Sequence, residues 1–417
     1  MQPPELAIDF GTSNSAVAMW SQDGPRRIPI EDGADTLPTA VFFPTHDSMI
    51  MGAAATRALI DGAEGRYMRA LKSVLGLPLL HEKRRIGGVR QTLADVIAAF
   101  LRALRLRAEA QTGLRFRQAL SGRPVHFHSN APAKDAQAEA DLRACYLAAG
   151  FEAVRFLPEP EAAVLASHGM GTVGQTGLIV DIGGGTSDFS VFDSADGQPK
   201  ILANHGVRLG GTDFDHAISM GCAMPELGLG GQLRREMGDG LLPVPRAPFV
   251  DLATWAKIPF LYSAETRRMV ADMVRLAQDT TRLSRLATVL EMEVGHDLAF
   301  AVERGKIDAN SDARTGRIEM AFIERGLSAA IPQDGLGSLL AQHRAEMRQA
   351  AEETLAQAGV APTGIGRIIL VGGSSLMRFV GAEMQALCPN AALLQSEAFT
   401  TVADGLAWAT RQPHMAR

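Results

Sequence analysis

Leu6-Ala7-Ile8-Asp9-Phe10-Gly11-Thr12-Ser13-Asn14-Ser15 recurs in outline as Leu178-Ile179-Val180-Asp181-Ile182-Gly183-Gly184-Gly185-Thr186-Ser187-Asp188. Each stretch is an apolar run ending in an aspartate, then a turn of glycine and hydroxyl residues, then a second apolar run, Ala16 to Trp20 or Phe189 to Phe192. That pattern predicts a β-hairpin with a tight tip. Glycines let the backbone approach an oligophosphate closely, and successive N–H groups in such a turn form an anion-binding concavity to which Thr12, Ser13 and Thr186 add hydroxyl donors. Asp9 and Asp181 can then hold a hydrated magnesium ion between them. One copy alone would read as a plain hairpin; two copies, each with its aspartate at the strand's end, favour phosphate and metal.

The chain has 417 residues, long for one core, so two lobes are expected. Hydrophobic residues at 46% and charged residues at 21% are those of an ordinary globular protein rather than a disordered or fibrous one. The apolar stretches are strand-length, far short of the roughly 20 residues of a membrane span, and Met1 to Glu5 lacks the charged leader and apolar core of a signal peptide. A cytoplasmic protein with no membrane partner is expected. The net charge of −5 gives no reason to invoke nucleic acid. Arg102, Arg105, Arg107, Arg115 and Arg117 read as a solvated helix face anchored by Leu101 and Leu104. Cys145, Cys222 and Cys388 are too scattered for a disulfide framework or a zinc site and read as buried small hydrophobes.

The periodicity predicts strands at about 5–10, 15–20 and 26–31, helices near 52–62 and 91–111, then an α/β order: strand 124–128, helix 134–149, strand 153–157, helix 161–167. The order restarts with strands at 177–182, 187–193 and 199–206 and helix 213–220. Residues 222–300 break it with Gly- and Pro-rich sequence and helical runs at 263–278 and 283–304, read as an inserted subdomain. Helix 338–358, the apolar strand Arg367 to Val371 ending in Gly372-Gly373-Ser374-Ser375, and helix 399–410 follow. His126 and His128 alternate with Phe127 on the expected strand, and with no third ligand near they read as structural histidines.

Glycine turns therefore follow the strands ending at Asp9, Asp181 and Val371. None matches GxxxxGK[ST], and the Gly183-Gly184-Gly185 turn lacks the helix that a dinucleotide fingerprint requires straight after its strand. Phosphoryl transfer needs positioning and charge neutralisation, supplied by backbone amides, magnesium and a lysine.

The arrangement resembles the nucleotide-binding domain of the heat shock protein 70 (DnaK-type) chaperones, of the actin-like ATPase superfamily. Ile8 to Ser15 is similar to that family's first phosphate loop, Asp181 to Asp188 to its second, and Glu159-Pro160-Glu161-Ala162-Ala163, Leu209-Gly210-Gly211-Thr212-Asp213-Phe214-Asp215 and Val371-Gly372-Gly373-Ser374-Ser375 continue the match in the family's order. The resemblance implies an α/β, two-lobed actin-like ATPase fold of duplicated ribonuclease H-like domains. Lobe I would span residues 1–170, completed by a helix at 398–412, and lobe II residues 171–397 with the insertion at about 221–310. It implies ATP or ADP and Mg2+ as cofactors, with Asp9 and Asp181 as metal residues and Lys72, Glu159 and Asp181 as catalytic residues. Lys72 would face the γ-phosphate and Glu159 would orient the attacking water. Gly11, Thr12, Ser13, Asn14, Gly183, Gly184, Gly185, Thr186, Gly210, Gly211, Gly372, Gly373 and Ser374 would hold phosphate, and Glu303 and Lys306 would contact adenosine.

Leu376 and Ile307 stand where the family places arginines against the base, which implies weakened adenine affinity. The chain resembles the shorter YegD-like branch, with no peptide-binding domain after the last helix. The expected function is slow, chaperone-like ATP hydrolysis by a monomer, with co-chaperones left open. Two alternatives stay open: a filament protein of the actin or MreB type, and a small-molecule kinase of the same superfamily.

Overall fold

The computed structural model describes residues 4–411 apart from 32, 46–47, 130, 167–175, 194–199, 312–315, 333–334 and 396–400. The boundary expected between residues 170 and 171 and the outer ends of the helix expected at 398–412 lie outside these residues. The chain divides into two compact units, Met1–Gly211 with Arg344–Arg417, and Thr212–His343.

The first unit contains two mixed sheets of one plan. In the first, strands Glu5–Phe10, Asn14–Ser21 and Gly24–Arg27 form an antiparallel meander, Gln118–Arg123 lies parallel to Glu5–Phe10, and Ala153–Pro158 lies parallel beyond it. In the second, Gly177–Ile182, Ser187–Asp193 and Lys200–Val207 form the meander, while Arg367–Val371 and Ala392–Gln395 are the parallel strands. The helices repeat as well. Leu93–Thr112, Pro132–Ala148 and Glu159–Ala166 alternate with the parallel strands of the first sheet, and Ala341–Ala358, Arg378–Leu387 and Thr401–Ala409 do so in the second. This is the duplicated α/β plan expected from the recurring phrase.

The two halves share a core of small and branched residues, among them Ala7, Ala18, Leu120, Ala162, Ala163, Ile179, Val371, Val402, Ala403 and Leu406. Small residues are required there because helices Glu159–Ala166 and Thr401–Ala409 cross at backbone contact. A Cβ on Gly405 would overlap the carbonyl of Ala162 and lie 3.0 Å from its Cα. Strands Gly177–Ile182 and Arg367–Val371 are buried along their whole length, as their apolar runs require. The exception in type, Arg367, lays its guanidinium 4.9 Å from the ring centroid of Phe192.

The second unit has a core of its own, in which Phe249, Leu252, Leu283, Leu286, Val289, Leu298 and Val302 pack together. Helices Ala264–Leu276, Thr280–Glu291 and Gly295–Asn310 and the short hairpins Gln232–Arg234 with Leu241–Pro243 and Arg317–Glu319 with Ser328–Ala330 build it. Among the described residues no helix is long and apolar enough to cross a membrane.

Three local expectations are corrected. The third meander strand is Gly24–Arg27 rather than 26–31, because Pro29 has no N–H to give the ladder. The run 283–304 is two helices, interrupted where Glu293 adopts a left-handed φ of 57°. Residues 124–128 are not a strand. The strand is Gln118–Arg123, and beyond it the N–H groups of Phe127 and His128 donate to Asp135 Oδ1, at 2.6 and 3.2 Å, instead of to a neighbouring strand. His126 and His128 therefore do not share a strand face.

Candidate functional site

Each meander opens with a hairpin closed by a strand pair, Phe10 with Ser15 and Ile182 with Ser187. The intervening loops, Gly11 to Asn14 and Gly183 to Thr186, have equal length. Gly11 is needed because a Cβ there would overlap the Asn14 carbonyl, and Gly183 N donates to Thr186 O at 3.0 Å across the second loop. The two tips abut. A Cβ on Gly184 would overlap Ser13 Oγ and lie 3.1 Å from Thr12 Cβ, and one on Gly185 would lie 3.1 Å from Thr12 Oγ1.

Two further glycine turns close on the same place. Gly211 N donates to Gly183 O at 3.0 Å, and a Cβ on Gly210 would lie 2.5 Å from Gly185 N. Gly372, at a φ of 81°, fits against the strand end so tightly that a Cβ would lie 2.7 Å from Asp181 Oδ1, and one on Gly211 would overlap Ser374 Oγ. The structure thus gathers the expected phosphate residues of all four turns, from Gly11–Asn14 to Gly372–Ser374, around the strand ends that bear Asp9 and Asp181.

Lys72 and Glu159 join them. Lys72 lies on the short 3-10 turn Leu71–Val74, and it is buried, with Nζ 2.6 Å from Glu159 Oε1. Glu159 begins a helix directly after the parallel strand Ala153–Pro158. Gly122 beside it leaves it room, since a Cβ there would lie 3.2 Å from Glu159 Cγ.

These carboxylates crowd one another out of water. Burial raises the Asp9 carboxyl to about 7, with the charge of Glu159 adding to the rise and Lys72 opposing it. Asp181 is held well above the usual carboxylate range by burial, then by Glu159, Asp188 and Asp9, again against Lys72. Asp188, the cross-strand partner of Asp181, is raised by burial and by Glu159 although it accepts the N–H of Val125 at 2.7 Å. A set of carboxylates this short of positive charge, with Asp181 and Asp188 buried and Asp9 and Glu159 partly so, fits a hard divalent cation. Among the described residues no three or more His, Cys, Asp or Glu side chains form a metal-ligand group.

Glu303 and Lys306 lie on helix Gly295–Asn310 of the second unit. There the Lys306 ammonium is buried and pairs with Asp215 Oδ1 at 2.7 Å, while Trp255 Nε1 donates to Asp215 Oδ2 at 3.2 Å. Burial raises the Asp215 carboxyl, and Lys306 opposes the rise. The charge of Lys306 is therefore engaged within its own unit.

The sequence reading assigned no role to Asp188 or Asp215. Asp188 was legible in principle, since hairpin register sets it opposite Asp181. Asp215 carried no such signal, because its partner lies far along the chain.

A family model described as Hsp70 protein matches residues 5–223. The chain is 34% identical over 217 residues to the "Chaperone protein DnaK" of Thermotoga neapolitana and, over the same length, to that of Thermosipho africanus. It is 33% identical to the protein of that name from Thermotoga petrophila. Each match takes in 51% of this chain and only 34% of the relative, so about a third of the length of those relatives is spanned. With more than half of its residues matched by the family model, and with the gathered glycine turns in the expected order, the chain belongs to the Hsp70 family.

Proposed function

We propose that this Hsp70-family chain binds Mg·ATP at the gathered glycine turns and slowly hydrolyses it to ADP and phosphate, as a chaperone-like ATPase. The observation that carries the reading is the abutment of the two acidic hairpin tips beside the buried Lys72–Glu159 pair. The backbone N–H groups of Gly11 to Asn14 and Gly183 to Thr186 bind the phosphate oxygens, and Lys72 balances charge on the terminal phosphoryl group. Glu159, fixed through one oxygen by Lys72, offers its other to a water molecule and aligns it for in-line attack. As the water oxygen bonds to the terminal phosphorus and the bond to the bridging oxygen of ADP breaks, the proton of the water passes to Asp181, the buried carboxylate near the end of strand Gly177–Ile182. Asp9 and Asp181 would hold magnesium, which when bound would neutralise phosphate charge.

Engagement of Lys306 by Asp215 supports the expectation that base recognition is weaker than phosphate recognition. We further propose a cytoplasmic, monomeric protein that uses the closing of its lobes around nucleotide as output. Phosphate release measured with ATP and GTP, for the protein and for Lys72→Ala, tests the reading. Release that depends on Mg2+ and falls in the variant supports it, and equal release from both removes Lys72 from the mechanism.

A further inference from the structure

Lys72 sits on backbone that needs outside support. Ala70, two residues before it, has a φ of 60°, the left-handed region that costs a residue bearing a Cβ. The lysine itself occupies one turn of 3-10 helix, which ends at Leu75 and Gly76. Such a turn keeps a buried ammonium 2.6 Å from Glu159 only if its surroundings determine it.

Two buried polar side chains do so at consecutive residues. His128 Nε2 lies 2.8 Å from Leu75 O, and because a carbonyl only accepts, that nitrogen carries the proton. Asp141, buried on helix Pro132–Ala148, accepts the N–H of Gly76 at 3.0 Å through Oδ2. Its Oδ1 takes Gln137 Nε2 at 2.8 Å and His81 Nε2 at 3.1 Å, so the carboxylate is itself fixed. Gly76, at a φ of 74°, presses so closely on this helix that a Cβ would lie 2.5 Å from Lys134 O. The segment that carries His128 is in turn bonded to the second hairpin, through Val125 N and Asp188 Oδ1 at 2.7 Å.

We infer that His128 and Asp141 are positioning residues for Lys72, holding its turn in register with Glu159 and, through Val125, with the second hairpin. The inference rests on the reading of Lys72 given under Proposed function. Neither side chain touches the reacting atoms, and a purely stabilising role would leave the environment of Lys72 unchanged in the folded variants.

The test compares His128→Leu and Asp141→Leu with His128→Gln, which keeps a donor for Leu75 O, and Asp141→Asn, which keeps an acceptor for Gly76 N. One readout is the rate at which acetic anhydride acetylates each lysine of the folded protein, followed by mass spectrometry. The leucine variants are expected to speed acetylation of Lys72 several-fold while exposed Lys83, Lys134 and Lys200 keep their rates, and the conservative variants to restore protection. The second readout is steady-state ATP hydrolysis. The leucine variants are expected to lower kcat about tenfold with KM changed by less than about twofold, and to lower it no further in a Lys72→Ala background.

Unchanged Lys72 acetylation in folded leucine variants, or losses that add to that of Lys72→Ala, would overturn the inference. Should the leucine variants not fold, amide exchange of the wild-type protein decides: the Gly76 N–H is expected to be protected, and rapid exchange there overturns the inference. Acetylation and amide exchange need no turnover, so a wild-type protein that hydrolyses no ATP defeats the Lys72 reading without bearing on the positioning.

Discussion

At the scale of single residues, the candidate site is a problem of charge. Asp9, Asp181, Asp188 and Glu159 are drawn together with Lys72 to oppose them. Removing Lys72 should therefore lower phosphate release about 100-fold, the usual loss when one preorganised charge-stabilising group is deleted. Single-turnover assays of Lys72→Ala check this, and a loss of less than a few-fold would contradict it. Gly184 makes a second case. Its missing side chain is what lets the second tip lie against Ser13, so Gly184→Ala should push the tips apart and weaken nucleotide binding at least about tenfold, as titration calorimetry would show. The cysteines give a third. Burial, with Asp141 and Asp95 adding, raises the Cys145 thiol to about 12, and burial raises Cys388 to about 11. Burial raises the Cys222 thiol as well, but Cys222 is only half-buried and should react first with a thiol reagent, and rapid titration of all three in the native protein would contradict the buried placement. The sequence made the hairpin aspartates, the glycines and the burial of Cys145 and Cys388 legible, whereas Cys222, expected to be buried, is half-exposed. It hid the partners of His128 and Asp141, because these come from elements remote along the chain.

At the scale of elements, two sheets of the same strand order follow from one duplicated phrase, and most of the helices stand within a few residues of the places their periodicity predicts. The misplacements have local causes. Pro29 ends a ladder early, Glu293 reverses a helix, and Asp135 takes the N–H groups that a strand at 124–128 would have needed. Gln118–Arg123 escaped notice because Ser121 and Gly122 resemble a turn, whereas Gly122 is small to admit Glu159 and Ser121 is buried with its Oγ accepting from Tyr146 at 2.8 Å. The crossing of helices Glu159–Ala166 and Thr401–Ala409 yields a prediction at this scale. Gly405→Ala drives a methyl group into the Ala162 carbonyl and should lower the unfolding free energy by about 3 kcal/mol, read from the urea midpoint. A midpoint unchanged from that of the native chain would mean the two helices do not meet there.

At the scale of the whole molecule, membership of the Hsp70 family implies the two-lobed actin-like ATPase fold, and the twin sheets of the first unit are its duplicated halves. The second unit, with its own core, holds Glu303 and the Lys306–Asp215 pair. The fold and the pairing of the glycine turns were open to sequence reading because duplication writes them twice. The engagement of Lys306 by Asp215 was not, since a lysine paired with a distant aspartate looks the same in sequence as a free one. The paired acidic tips are expected to bind a metal-bound triphosphate, and a calorimetric titration of ATP with and without Mg2+ decides this. The expected result is saturable one-to-one binding with Mg2+ that weakens at least about tenfold when the ion is chelated. Absence of binding with Mg2+ present, or binding of equal strength without it, would contradict the claim.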